Sequence, residues 1–163
     1  VDVLSHLIHS CGFWRAKARD IVASARMLRE AFGGRVPDTM EQLLRLPGVG
    51  RKTANLILGD IYGQEGYVCD THCIRITGRL GLTDGSKDPL KVERQLRQCI
   101  PPEESNNFCH RMVLHGRAVC TARSPRCGEC TLRPYCDFWA GRRKTEYLYQ
   151  TAGSTHCFRQ LFA

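Results

Sequence analysis

Apolar residues recur along this chain at helical spacing, and no segment alternates convincingly with the period of two expected of a half-buried strand. Over residues 17–32, Ala18, Ile21, Val22, Ala25, Leu28 and Phe32 fall on one helical face, and Gly33-Gly34 stops the helix. Asp38 and Glu41 have the spacing of a capping box for a short helix carrying Met40, Leu43 and Leu44. Pro47, Gly48 and Gly50 then force a tight turn. A helix from about residue 51 to Gly63 follows, with Ala54, Ile57, Leu58 and Ile61 as its buried stripe. Asp70 stands where an N-cap would open a helix over Thr71–Leu80. Asp88-Pro89 opens the next, with proline at the first helical position and Val92, Leu96 and Cys99 turned inward. A longer helix over roughly 103–119 carries Phe108, Met112, Val113 and Val119. A cysteine-rich loop and a basic tail beginning Gly-Arg-Arg-Lys (141–144) complete an all-α chain.

Composition narrows the class. The 163 residues suffice for one ordinary domain or two small ones, and an apolar fraction of 42% indicates a folded protein. Lys and Arg outnumber Asp and Glu by 24 to 16, a net charge of +8 that suits a polyanionic partner, with solubility as the plainer alternative. No signal peptide or 18-residue apolar run is visible, so neither export nor membrane spanning is expected. Ten cysteines without an export signal point to a metal site before disulfides. Val1 leads directly into an apolar-periodic segment, and an N-terminal portion is expected to be missing.

Three groups of residues carry chemistry. In LPGVGRKTA (46–54) two glycines let the backbone approach a flat charged surface, and the following helix offers N–H groups at its start. Such a turn favours phosphate irrespective of base sequence. A nucleotide-binding P-loop fits poorly, because Arg51 rather than Gly precedes Lys52 and the glycines are too close. Lys52 is either a phosphate contact or an amine nucleophile able to form a Schiff base. Asp70, in VCDTHCIR (68–75), is either a plain cap or a fixed anion for a developing oxocarbenium ion. His72 is a phosphate or loop contact, or a core histidine.

Cys120, Cys127, Cys130 and Cys136 form the pattern C-x6-C-x2-C-x5-C. Four thiolates in a short loop with Pro125, Gly128 and Pro134 can converge on one centre, iron–sulfur or zinc. Arg117, Arg123, Arg126 and Arg133 surround them, as counter-charge or as a solvated face. Cys11, Cys69, Cys73, Cys99, Cys109 and Cys157 show no such spacing, and most are expected as buried small hydrophobes.

Taken together, LPGVGRKTAN (46–55), VCDTH (68–72), LHGRAVC (114–120) and the four cysteines resemble the endonuclease III family of helix-hairpin-helix DNA glycosylases, over roughly residues 3–138. The resemblance implies a partial helical barrel with the hairpin motif (1–66), an iron–sulfur helical domain (67–140) and a basic tail of unknown role (141–163). It implies excision of oxidised pyrimidines from duplex DNA and β-elimination at the abasic site, with Lys52 as nucleophile and Asp70 as its partner. It also makes the cysteine site a [4Fe–4S] cluster that staples a DNA-facing loop. Relatives that remove adenine typically lack a lysine at the position of Lys52, so its presence favours a glycosylase with lyase activity. Gly48, Val49, Gly50, Arg51, Thr53 and His72 then contact DNA. Phe13, in Gly12-Phe13-Trp14, aligns with a loop that inserts a wedge residue, core packing being the alternative. The family's first helices are missing from the alignment. The partner so implied is double-stranded DNA carrying a damaged base or an abasic site, bound by a monomer in a bacterial-type cytoplasm and on the nucleoid while acting. A DNA-binding module without catalysis is the competing reading.

Overall fold

The computed structural model describes residues 1–141, and every regular element among them is helical. The chain divides into two compact units, Val1–Gly63 and a second that begins at Gln64. The basic tail, from residue 142 on, and Cys157 lie outside the described residues.

In the first unit α1 (Asp2–Leu7) packs on α2 (Trp14–Ala31), and α3 (Met40–Leu43) packs on α4 (Arg51–Asp60). Leu43, Leu46, Ala54 and Leu58 are buried at its centre, closed over by Met27, Leu28, Phe32, Met40, Val49 and Ile57. The expected stripe of α2 is therefore only partly right. Ala18 is fully buried, but Ile21 is 49% exposed and Ala25 is exposed, while Met27 joins the core. The core of α3 and α4 meets α2 through Met27, Leu28 and Phe32, which leaves the Ile21–Ala25 strip uncovered among the described residues.

Two boundaries shift by small steps for packing reasons. The cap of α3 is Thr39 rather than Asp38, its hydroxyl accepting from Gln42 N at 3.4 Å. That start accompanies full burial of Leu43, with Leu44 at 43% exposure. Helix α4 stops at Asp60, so Ile61 is 66% exposed and the buried face comprises Ala54, Asn55, Leu58 and Gly59.

The second unit contains α5 (Thr71–Leu80), α6 (Pro89–Cys99), α7 (Ser105–Ala118) and α8 (Asp137–Ala140), with α5 packed on α7 and touching α8. Both expected aspartate caps are present. Asp70 Oδ1 accepts from Cys73 N at 2.7 Å, and Asp88 Oδ1 accepts from Leu90 N at 3.0 Å. The long helix begins later than its pattern suggested, because Pro102–Glu104 forms a 3-10 turn ahead of α7. Phe108, Cys109 and Met112 are buried from α7, and Cys73, Ile76 and Leu80 from α5.

Tyr67 is buried beside this core. Its hydroxyl donates to Ile100 O at 2.8 Å, and burial pushes its pKa up to about 12. Arg97 lies 4.5 Å over the Tyr67 ring and pairs with Glu65 and the buried Glu93. A buried carboxylate is tolerable where such a partner satisfies it. Cys69, Cys73 and Cys109 are buried as expected, whereas Cys99 is half-buried and Cys11 exposed. Hydrogen bonds with Cys109 and Cys69, together with burial, raise the pKa of the Cys73 thiol.

Candidate nucleic-acid interface and metal centre

The hairpin of the first unit is a built turn. Val49 N donates to Leu46 O at 3.1 Å, and the Ser24 hydroxyl of α2 donates to Pro47 O at 2.6 Å. Gly48 has φ +74°, and a Cβ there would lie 2.8 Å from Asp20 Cβ, so both backbone and space require glycine. Gly50 is the extended N-cap of α4, and no side chain caps that helix. Its first-turn N–H groups have no side-chain acceptor of the kind that caps α5, an arrangement suited to an external anion.

The sequence-selected side chains divide here. Lys52 and Thr53 are exposed in the first turn of α4, and Arg51 is half-buried. Val49 packs against the core, leaving only its backbone to the turn. Phe13 does not enter the core: it is 89% exposed at the N-cap of α2, with φ +58°. An aromatic residue in that left-handed conformation carries strain.

Asp70 belongs to the second unit, where its carboxylate is fixed at the start of α5. His72, one turn into α5, is half-buried, with Nδ1 3.1 Å from Arg75 Nη2. A Cβ on Gly116 would lie 2.4 Å from the same Nδ1. The glycine of LHGRAVC thus lets α7 approach His72.

Cys120, Cys127, Cys130 and Cys136 line one pocket, together with Ile76, Leu80, His115 and Val119. Burial raises the pKa of the Cys130 thiol, and the other three cysteines raise it further. His115 Nε2 stands 3.6 Å from Cys130 Sγ, and burial lowers the pKa of that imidazole. Among the described residues no three such donors close on a single-ion centre. Four soft thiolate donors around one pocket suit an iron–sulfur cluster or zinc.

Arg126 and Arg133 line this cavity, whereas Arg117 and Arg123 are exposed and outside its lining. Sequence reading missed the arginines that hold the loop most directly. Arg75 Nη2 donates to Cys120 O at 2.9 Å, and Arg79 Nη1 donates to Thr121 O at 2.8 Å. Their i, i+4 spacing behind the Asp70 cap was the available signal.

Residues 1–102 match the family described as HhH-GPD superfamily base excision DNA repair protein, and residues 120–136 match the iron–sulfur binding domain of endonuclease III. The chain is 48% identical to endonuclease III of Synechocystis sp. over 134 residues, covering 82% of this chain and 61% of that protein. It is 40% identical to endonuclease III of Thermotoga maritima over 148 residues, covering 91% of this chain and 69% of that protein. It therefore spans about three-fifths to two-thirds of these relatives.

A solved endonuclease III–DNA trapped covalent intermediate, an estranged-adenine complex, superimposes with a TM-score of 0.81 at 39% identity. The match covers 86% of this chain and 66% of that one. A thermostable thymine-DNA glycosylase shares the fold, with a TM-score of 0.71 at 21% identity over 86% of this chain and 66% of that one. The match over residues 120–136 makes the four-cysteine loop a [4Fe–4S] cluster site and sets zinc aside. The chain belongs to the HhH-GPD superfamily of base excision DNA repair proteins and, within it, to the endonuclease III family.

Proposed function

We propose that this chain is a base-excision repair DNA glycosylase with abasic-site lyase activity, removing oxidised pyrimidines from duplex DNA. The observation that carries this reading is Lys52, an exposed amine in the first turn of a helix that no side chain caps. Gly48, Val49 and Gly50 bring backbone to a phosphate, while Arg51 and Thr53 add side-chain contacts, so the hairpin tracks the DNA strand. The target nucleotide leaves the stack, and Phe13 and His72 engage the duplex, Phe13 as the stacking wedge.

The Lys52 amine then attacks C1′ as the damaged base departs with its bonding electrons. One amine proton goes to the departing base and the other to O4′ as the sugar ring opens to an imine; loss of a C2′ proton to water then forms the C2′=C3′ bond as the 3′ phosphate leaves. Asp70, whose carboxylate accepts from Cys73 N, offsets positive charge developing on the sugar. The cluster, when bound, supplies a structural staple for the loop through Cys120, Cys127, Cys130 and Cys136. A solved relative described as a trapped covalent intermediate with DNA supports covalent chemistry of this kind.

The protein acts as a monomer on double-stranded DNA bearing a damaged base or abasic site, in a bacterial-type cytoplasm and on the nucleoid while acting. Among the described residues no helix is long and apolar enough to cross a membrane. The test incubates iron-loaded protein with duplexes carrying an oxidised pyrimidine and follows both base release and strand scission. Release followed by scission is expected. Tight binding without either product would leave a DNA-binding module in place of an enzyme.

A further inference from the structure

The C-terminal end of α5 meets both ends of the cysteine loop through one residue. Arg79 Nη1 donates to Cys120 Sγ at 3.2 Å as well as to Thr121 O at 2.8 Å, and Nη2 donates to Ala122 O at 2.9 Å. The backbone carbonyl oxygen of Arg79 lies 3.5 Å from Cys136 Sγ. Its guanidinium lies 4.8 Å over the Phe138 ring and is half-buried. The fork is therefore fixed from three sides, with a cation aimed at the first ligand sulfur.

The other cations lining the cavity are arranged differently. Arg126 donates to Ala118 O and pairs with Glu129 at 3.6 Å, and Arg133 lies 5.6 Å over Trp139. Of the arginine side chains with described hydrogen bonds, Arg79 is the one that reaches a ligand sulfur. Hydrogen bonds to the sulfurs and local charge are the protein's principal means of setting an iron–sulfur potential.

We propose that Arg79 is a positioning residue that stabilises the reduced form of the cluster through its N–H bond to Cys120 Sγ. Reduction adds one electron, and so one negative charge, to an assembly of four thiolates. The bond and the guanidinium charge both strengthen with that added charge, so Arg79 raises the reduction potential. This role goes beyond the glycosidic chemistry and does not depend on it.

The test is voltammetry of the purified holoprotein on an electrode that supplies the electron, with iron content measured for every variant. Arg79→Met should keep its iron and shift the midpoint to more negative potential, lowering the reduced-to-oxidised ratio about tenfold at fixed applied potential. Arg79→Lys should shift in the same direction by less. Arg126→Met, which removes a cation without removing a bond to sulfur, should move the midpoint least. An unchanged midpoint in iron-replete Arg79→Met would overturn the proposal, as would an equal shift in Arg126→Met. Should Arg79→Met lose its iron, Arg79→Lys is read instead: a negative shift supports the role, and no shift overturns it.

Discussion

Helices α4 and α5 begin in opposite ways. The first starts behind Gly50 with no side-chain cap, and the second starts behind Asp70, whose carboxylate accepts from Cys73 N at 2.7 Å. An uncapped helix start keeps its N–H groups for an anion from outside. A start capped by aspartate carries its own anion, fixed in direction by the backbone that binds it. One terminus is thus suited to receive a phosphate and the other to present a carboxylate. On the proposed reading, the start of α4 would hold the DNA backbone and the start of α5 would offset charge on the sugar.

The largest effect should come from removing charge at the capped terminus while keeping the cap. Asparagine caps helices about as well as aspartate, so Asp70→Asn should change stability by no more than about 0.5 kcal/mol. Base excision should nevertheless fall by about 10²-fold or more, read as single-turnover rates beside thermal melts. Loss of stability in proportion to loss of rate would reduce Asp70 to a cap.

Next in size is the close approach that seats α5 on α7. Gly116→Ala places a Cβ 2.4 Å from His72 Nδ1 and 3.0 Å from Arg75 Nη2, and should cost about 1–3 kcal/mol. Iron content should fall with it, since Arg75 also bonds Cys120 O. A variant with unchanged melting temperature and full iron would show that the contact relaxes freely.

A smaller and opposite-signed effect is expected where α4 lacks a cap. A Cβ at Gly50 meets nothing within 4 Å, so Gly50→Asp can install one. Stability should rise by a few tenths of a kcal/mol, about the usual gain of a cap over glycine. Affinity for duplex DNA should fall about tenfold, because a resident carboxylate competes for the same N–H groups and repels phosphate. Unchanged affinity would remove α4 from the interface. Smallest of all, Phe13→Ala should leave the melting temperature within about 0.5 kcal/mol equivalent, since the ring is 89% exposed, and weaken binding to an abasic duplex a few-fold.

What the sequence disclosed follows the range of the forces involved. The Asp70 and Asp88 caps act over two or three residues and were readable. So was the turn at Gly48, because its backbone conformation is local. Thr39 displaced Asp38 as a cap because both residue types serve and the packing of Leu43 accompanies the choice. The exposure of Ile21 and Ala25 was invisible, since helical period marks an apolar stripe without saying what covers it. Arg79 escaped notice for a similar reason: its bond to Thr121 joins residues 42 positions apart. The cysteine spacing revealed a metal site, but its ring around a cavity belongs to the folded chain.

The most direct test of the central assignment is borohydride trapping on duplex DNA containing an abasic site. Iron-loaded wild-type protein should give a covalent protein–DNA adduct, and Lys52→Ala should give none while still binding the duplex. An undiminished adduct from Lys52→Ala, or no adduct from folded wild-type protein, would contradict the assignment of Lys52 as the nucleophile.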